Sequence, residues 1–200
     1  KDCRVRAETR GGSEGQGCHV AQARLGGGRV HHAMRTVGVI RRAIDMMCER
    51  ALSRRTKGEL LADKQMTQEK IADAYTMMMQ YRLHVLYTAW WTDKHKENNR
   101  EVRKEIAAIK AATPKVLVEI VSRAMHLHGS LGSSDETPLA NMWANIPELG
   151  VVDGPTEVHK VAVAKAVLRN YSAHDALFPS YHTPTQRNKA LEKYGHFLPT

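Results

Sequence analysis

Apolar residues recur with helical spacing along most of the chain. Val30, Ala33, Met34, Val37, Ile40, Ile44, Met47, Cys48, Ala51 and Leu52 keep the 3.6-residue period and predict a helix over about 27–55, stopped by Gly58. Met66, Ile71, Ala74, Met77, Met78, Tyr81, Leu83, Val85, Leu86 and Trp90 predict a second over about 64–93. Val102, Ile106, Ile109, Ala112, Val116, Ile120, Ala124 and Leu127 predict a third over about 100–128. Pro114 lies inside it, where it removes one backbone hydrogen bond or kinks the helix. After the breaks at Gly129 and Gly132, a short helix is expected over about 137–148 and a last one over about 155–171. Three long antiparallel helices and two shorter ones describe an all-α, up-down helical bundle. Residues 1–28 hold seven of the fourteen glycines and read as an irregular, turn-rich segment. Residues 172–200, with Pro179, Pro184 and Pro199, read as an extended tail that docks through Leu177–Phe178 and Phe197–Leu198.

One junction carries candidate chemistry. In Val152-Asp153-Gly154-Pro155-Thr156-Glu157-Val158-His159 a carboxylate stands beside a Gly-Pro turn at the mouth of the last helix. Pro155 suits a first helical position, and the first-turn amides point outward. Asp153 then has two readings from its residues alone. It either caps the helix start, or it serves as a base beside amides that hold an anionic ligand.

Composition narrows the classes. Two hundred residues suffice for one ordinary core, and the formal charge is +9. The densest basic groups, Arg54-Arg55 with Lys57 and the run from Lys94 to Lys104, are interrupted or flanked by acids and have no interleaved aromatics or finger spacing. Nucleic acid is therefore not the expected partner; anionic small molecules explain the excess as well. Cys3, Cys18 and Cys48 form no CxxC and read as reduced thiols of an intracellular protein. The eleven histidines make no HxxxH or HExxH, so no metal is expected. No apolar run approaches the ~20 residues of a membrane span. A first residue of Lys1, with no leader after it, suggests a chain that starts partway through something larger.

Four separated stretches then read together. Ala51-Leu52-Ser53-Arg54-Arg55-Thr56-Lys57-Gly58, followed by Gln65, resembles the acyl-CoA dehydrogenase pattern A-x-x-R-x-x-F-G with its later Gln. His126-Leu127-His128-Gly129-Ser130-Leu131-Gly132 resembles Q-x-x-G-G-x-G, Asp153-Gly154-Pro155-Thr156-Glu157 resembles E-G-T-x-E, and Arg24 to His32 resembles the opening of that family's first bundle helix. Asp-Gly-Pro-x-Glu-Val-His is closest to the subgroup fused, in animals, to a phosphotransferase-like kinase domain, where aspartate is usual at the base position. Lys57, His126 and Ser130 depart from the family's Phe, Gln and Gly.

The resemblance implies an FAD-dependent enzyme that removes the α proton of an acyl-CoA thioester and passes a β-hydride to the flavin. It implies Asp153 as the base, since Gly28 stands where some members carry theirs on the first helix. It implies Arg54, Thr56, Gln65, His126, Leu127, His128, Gly129, Ser130, Pro155, Thr156 and Glu157 as FAD contacts, with Arg29 and Gly154 on the substrate side. It further implies a homodimer or homotetramer and an electron-transfer flavoprotein as acceptor. The compartment would be cytoplasmic in a bacterium, and the mitochondrial matrix or peroxisome in a eukaryote. On this reading residues 1–26 end a missing middle domain, 27–171 are the family's C-terminal bundle and 172–200 are the tail. The alternative from another class is a non-catalytic helical assembly module derived from the family.

Overall fold

The structure is a computed structural model that describes residues 2–95, 100–174 and 176–197, the side chain of Ala23 excepted. It separates into two units, residues 1–166 and 167–200. The first is built on three long helices: α1 (Gly17–Ser53), α2 (Gln65–His95) and α3 (Arg100–His128). A two-residue hairpin joins α1 to α2, with β1 (Arg55–Thr56) antiparallel to β2 (Glu59–Leu60). Lys57 and Gly58 at its tip both take positive φ, 53° and 85°, the backbone of a tight hairpin turn. Short helices follow α3: α4 (Ser130–Ser133), α5 (Leu139–Ala144), α6 (Ile146–Val151) and α7 (Thr156–Leu168).

The core lies where the three long helices meet, among Ile40, Met47, Met78, Val85, Ile109, Leu117, Ile120 and Val121. Small residues let the helices close in: Ala33, Ala43, Ala74 and Ala124 are fully buried. Met77 and Met79 pack against this core, as filler methionines do. A buried hydrogen bond between Tyr81 Oη and Thr113 Oγ1 (2.6 Å) ties α2 to α3, and burial raises the Tyr81 phenol to about 12. α3 runs unbroken through Pro114, whose missing N–H leaves the Lys110 carbonyl without its helical donor. Gly26 faces Ile106, and the Arg29 and Lys110 charges act on one another, so α1 and α3 start together and run the same way.

Three expectations change. Helix α1 begins at Gly17, inside the segment expected to be irregular, and carries Gly26, Gly27 and Gly28 as helical residues. Residues 17–25 are mostly exposed and hold only Val20 and Leu25 as large aliphatics, so no sustained apolar stripe announces the extension. The expected helix over 137–148 is two six-residue helices, α5 and α6, with Pro147 just inside the second. The tail is not extended throughout: α8 (Thr183–Tyr194) occupies it, with Pro184 in its first turn, where proline costs no hydrogen bond. Phe178 stacks on His182 within that unit, and Leu177 is exposed. Leu198 and Pro199, and residues 96–99 of the basic run, lie outside the described residues. Among the described residues no helix is long and apolar enough to cross a membrane.

The tightest approach in the first unit is at Gly132 of α4. A Cβ there would fall 2.5 Å from the Met125 carbonyl oxygen and 2.9 Å from its Cα, both backbone atoms that cannot step aside. Gly38 of α1 is the opposite case, with open space around it. Gly132→Ala is expected to cost about 1–3 kcal/mol by overpacking. Gly38→Ala is expected to gain about 0.5–1 kcal/mol, because helical glycine is entropically costly. Urea denaturation of both variants checks this, and a Gly132→Ala protein as stable as Gly38→Ala contradicts the packing.

Candidate active site

The junction between α6 and α7 is held as a fixed knot. α6 ends with Val152 N–H donating to the Glu148 carbonyl (2.8 Å), and Gly154 N–H returns to the Val151 carbonyl (3.1 Å). Between them Asp153 sits in the left-handed region at φ 56°, followed by Gly154 at φ 110°. Aspartate tolerates that region better than most side chains, and glycine is the residue for the second position. Thr156 Oγ1 donates to the Gly150 carbonyl (3.2 Å), fastening the start of α7 back onto α6. α7 begins at Thr156, so Pro155 precedes the helix rather than opening it; its carbonyl takes the His159 N–H.

Two side chains grip the main chain of Asp153. Arg29 Nε, from α1, donates to the Asp153 carbonyl oxygen at 2.9 Å, and His159 Nε2, from α7, lies 3.3 Å from that oxygen. Both are drawn out of water. Burial pushes the Arg29 guanidinium below its ordinary value, opposed by Asp153. Burial, then the Arg29 charge, lowers His159 from its ordinary 6.5, against the Asp153 carbonyl, which favours the charged ring. Under the knot, Lys110 of α3 is fully buried and donates to the Leu149 carbonyl (2.5 Å). Burial lowers its pKa too, opposed first by Asp153. Three basic groups thus surround one acid.

The Asp153 carboxylate does not cap α7. Among the described residues no α7 amide donates to it; Oδ2 lies 3.3 Å from His32 Nε2 of α1 instead. It comes this close to α1 because position 28 has no side chain: a Cβ on Gly28 would stand 2.8 Å from Oδ2.

The other expected site residues fall elsewhere. Arg54 ends α1, exposed, and its side chain makes no hydrogen bond or ion pair among the described residues; Thr56 is in β1 and Gln65 opens α2. One turn before Arg54, Arg50 Nε is buried without a hydrogen-bond partner among the described residues. His126, Leu127, His128, Gly129 and Ser130 form the end of α3 and its turn, with His128 Nδ1 bonded to the Ala124 carbonyl (2.8 Å) and Gly129 at φ 66°. At 1.5 Å per residue, Arg54 stands about 37 Å along α1 from Arg29. His126 stands about 24 Å along α3 from Lys110. The site residues therefore form two groups. Asp153, Gly154, Arg29, Pro155, Thr156 and Glu157 meet at one end of the bundle. The Arg54 and His126 groups lie towards the other.

A family model for the acyl-CoA dehydrogenase C-terminal domain matches residues 15–168. The chain belongs to the acyl-CoA dehydrogenase family. It is 41% identical over 165 residues to probable acyl-CoA dehydrogenase FadE2 of Mycobacterium tuberculosis, covering 82% of this chain and 40% of that protein. It is 41% identical over 157 residues to acyl-CoA dehydrogenase family member 11 of Rattus norvegicus, covering 78% and 20%. Butyryl-CoA dehydrogenase from Megasphaera elsdenii superposes with a TM-score of 0.76 at 26% identity, over 82% of this chain and 42% of that one. The chain thus spans two fifths or less of the curated relatives named here.

Four residues of this candidate site in the acyl-CoA dehydrogenase family member were not singled out by sequence. His32, Lys110 and His159 touch or flank the Asp153 turn, and Arg35 touches His32. Lys110 had a readable signal: it interrupts the apolar stripe of Ile106, Ile109 and Leu117. His159 makes a titration prediction. Its folded pKa lies below 6.5, so between the two values the unfolded chain binds the extra proton, and stability falls as pH drops through 6.5. His159→Gln is expected to flatten the loss of unfolding free energy between about pH 7.5 and about pH 5, read by urea titration. Equal pH slopes in the two proteins would exclude a buried neutral His159.

Proposed function

We infer that this chain supplies the proton-abstracting base and part of the FAD site of an acyl-CoA dehydrogenase acting on an acyl-CoA thioester. The observation that carries the reading is the Asp153 carboxylate. It is mostly buried, bonded to no helix amide among the described residues, and fixed by a main-chain grip that leaves its side chain to act. A base must be held to within a fraction of an ångström of the proton it takes. Arg29 and His159, anchored on the carbonyl oxygen, provide that rigidity without neutralising the carboxylate through direct ion pairs. The α proton passes to Asp153; FAD, when bound, supplies the acceptor for the β-hydride.

The residues fit an anionic cofactor. Arg54 offers an unengaged guanidinium fork suited to a pyrophosphate, with Thr56 and Gln65 nearby in sequence. Gly129, with open space around it, allows backbone approach at the His126–Ser130 turn, and Pro155, Thr156 and Glu157 set the mouth of α7. The separation of about 37 Å along α1 exceeds what the five-carbon ribityl chain of FAD spans between pyrophosphate and ring. One chain therefore serves two different flavins, and the assembly is a homodimer or a dimer of dimers. Exposed apolar residues support it: Leu83, Leu86, Tyr87 and Trp90 on α2, and Val158 and Val161 on α7. The electron acceptor expected for such an enzyme is an electron-transfer flavoprotein.

In the full-length, FAD-loaded protein, Asp153→Asn is expected to lower kcat by roughly 10²–10⁴-fold while flavin stays bound. Asparagine tolerates the left-handed backbone, so the knot survives. Arg54→Ala is expected to lose flavin first and activity only with it. An artificial-acceptor assay with flavin absorbance separates the two, and an active Asp153→Asn enzyme overturns the assignment.

A further inference from the structure

Residues 28, 29, 32 and 35 of α1 are spaced to share one helix face, and each acts on the Asp153 turn or on a residue that does. Gly28 admits the carboxylate and Arg29 holds the main-chain oxygen. His32 Nε2 lies 3.3 Å from Asp153 Oδ2, and Arg35 Nη2 lies 2.7 Å from His32 Nδ1. A guanidinium only donates hydrogen bonds and does not give up its proton in proteins. Nδ1 must therefore accept, which leaves the single ring proton on Nε2, pointed at the carboxylate. The His32–Asp153 contact is then a hydrogen bond from a neutral ring, not an ion pair.

We propose that Arg35 and His32 form a positioning clamp that fixes the Asp153 carboxylate through Oδ2 and reserves Oδ1 for the substrate α proton. This rests on Asp153 being the base. His32 cannot take that proton onward, because Nε2 already carries one and Nδ1 is occupied by Arg35; the proton stays on Asp153. The remaining basic groups around the turn do not duplicate the contact. Arg29 and His159 bond the Asp153 main chain, and Lys110 bonds the Leu149 carbonyl. The His32 and Asp153 side chains are only 18% and 16% exposed, so in the intact protein the ring rather than bulk water faces Oδ2. Arg35 is exposed, and its effect on the carboxylate passes only through the ring.

Two measurements test the clamp. In the full-length FAD-loaded protein, His32→Ala is expected to lower kcat by roughly 10- to 100-fold with KM and flavin content little changed, since the base loses its orientation rather than its chemistry. His32→Gln, which returns an amide donor near the Nε2 position, is expected to recover most of that loss. Long-range ¹⁵N–¹H correlation on the histidine-labelled chain is expected to show His32 protonated at Nε2 and bare at Nδ1, with that preference lost in Arg35→Met. Wild-type kcat in His32→Ala beside an inactive Asp153→Asn overturns the clamp and leaves the base standing. An active Asp153→Asn removes both. A protonated Nδ1 in the unsubstituted chain overturns the clamp even where His32→Ala fails to fold or loses flavin.

Discussion

The site depends on a grip on one carbonyl oxygen. Asp153 occupies a backbone region that side chains other than asparagine and aspartate seldom visit, and such a residue persists only where its surroundings over-determine it. Arg29 reaches the oxygen from α1 and His159 from α7, while Lys110 secures the Leu149 carbonyl just upstream from α3. Three helices distant in sequence thus converge on a single turn. The cost is visible in the groups that do the holding: burial pushes all three below their ordinary pKa values, and the acid offsets part of it for each. The same acid that the proposed chemistry needs also offsets part of the burial felt by the basic groups of the knot.

The length of α1 sets the second constraint. A 37-residue helix places the Asp153 knot near its first third and Arg54 at its end. No side chain bridges that gap, so the proposed flavin contacts can serve a single cofactor only when another copy supplies one of the two groups. The exposed apolar residues of α2 and α7 are what such a copy would cover. On the proposed function, assembly is the condition for catalysis rather than a rival to it.

The fold was legible because the three long helices announce themselves by period, α3 to the residue. What failed were segments without a sustained apolar stripe: the start of α1 at Gly17, which is glycine-rich and mostly exposed, and α8, whose proline at its opening reads as a helix breaker out of context. For the site, the Asp153 turn and Arg29 were visible as a local motif. Its partners were harder to see: Lys110 shows only as a break in an apolar stripe, and His159 acquires meaning only through tertiary contact. His32 was also within reach: it lies one helical turn beyond Gly28 and Arg29, on the face already implicated. The choice between helix cap and free carboxylate also needed coordinates, since both use the same residues at the same spacing.

The proposed function requires that one chain offer its base and its pyrophosphate arginine to different flavins. Mixing two inactive full-length proteins, Arg54→Ala and Asp153→Asn, tests it most directly. In a mixed dimer, one site combines the intact Asp153 of the first protein with the intact Arg54 of the second. After random reassociation at equal amounts, half the dimers are mixed and each holds one intact site of two, so about a quarter of wild-type activity is predicted. Mixed dimers that form and remain inactive would contradict the account.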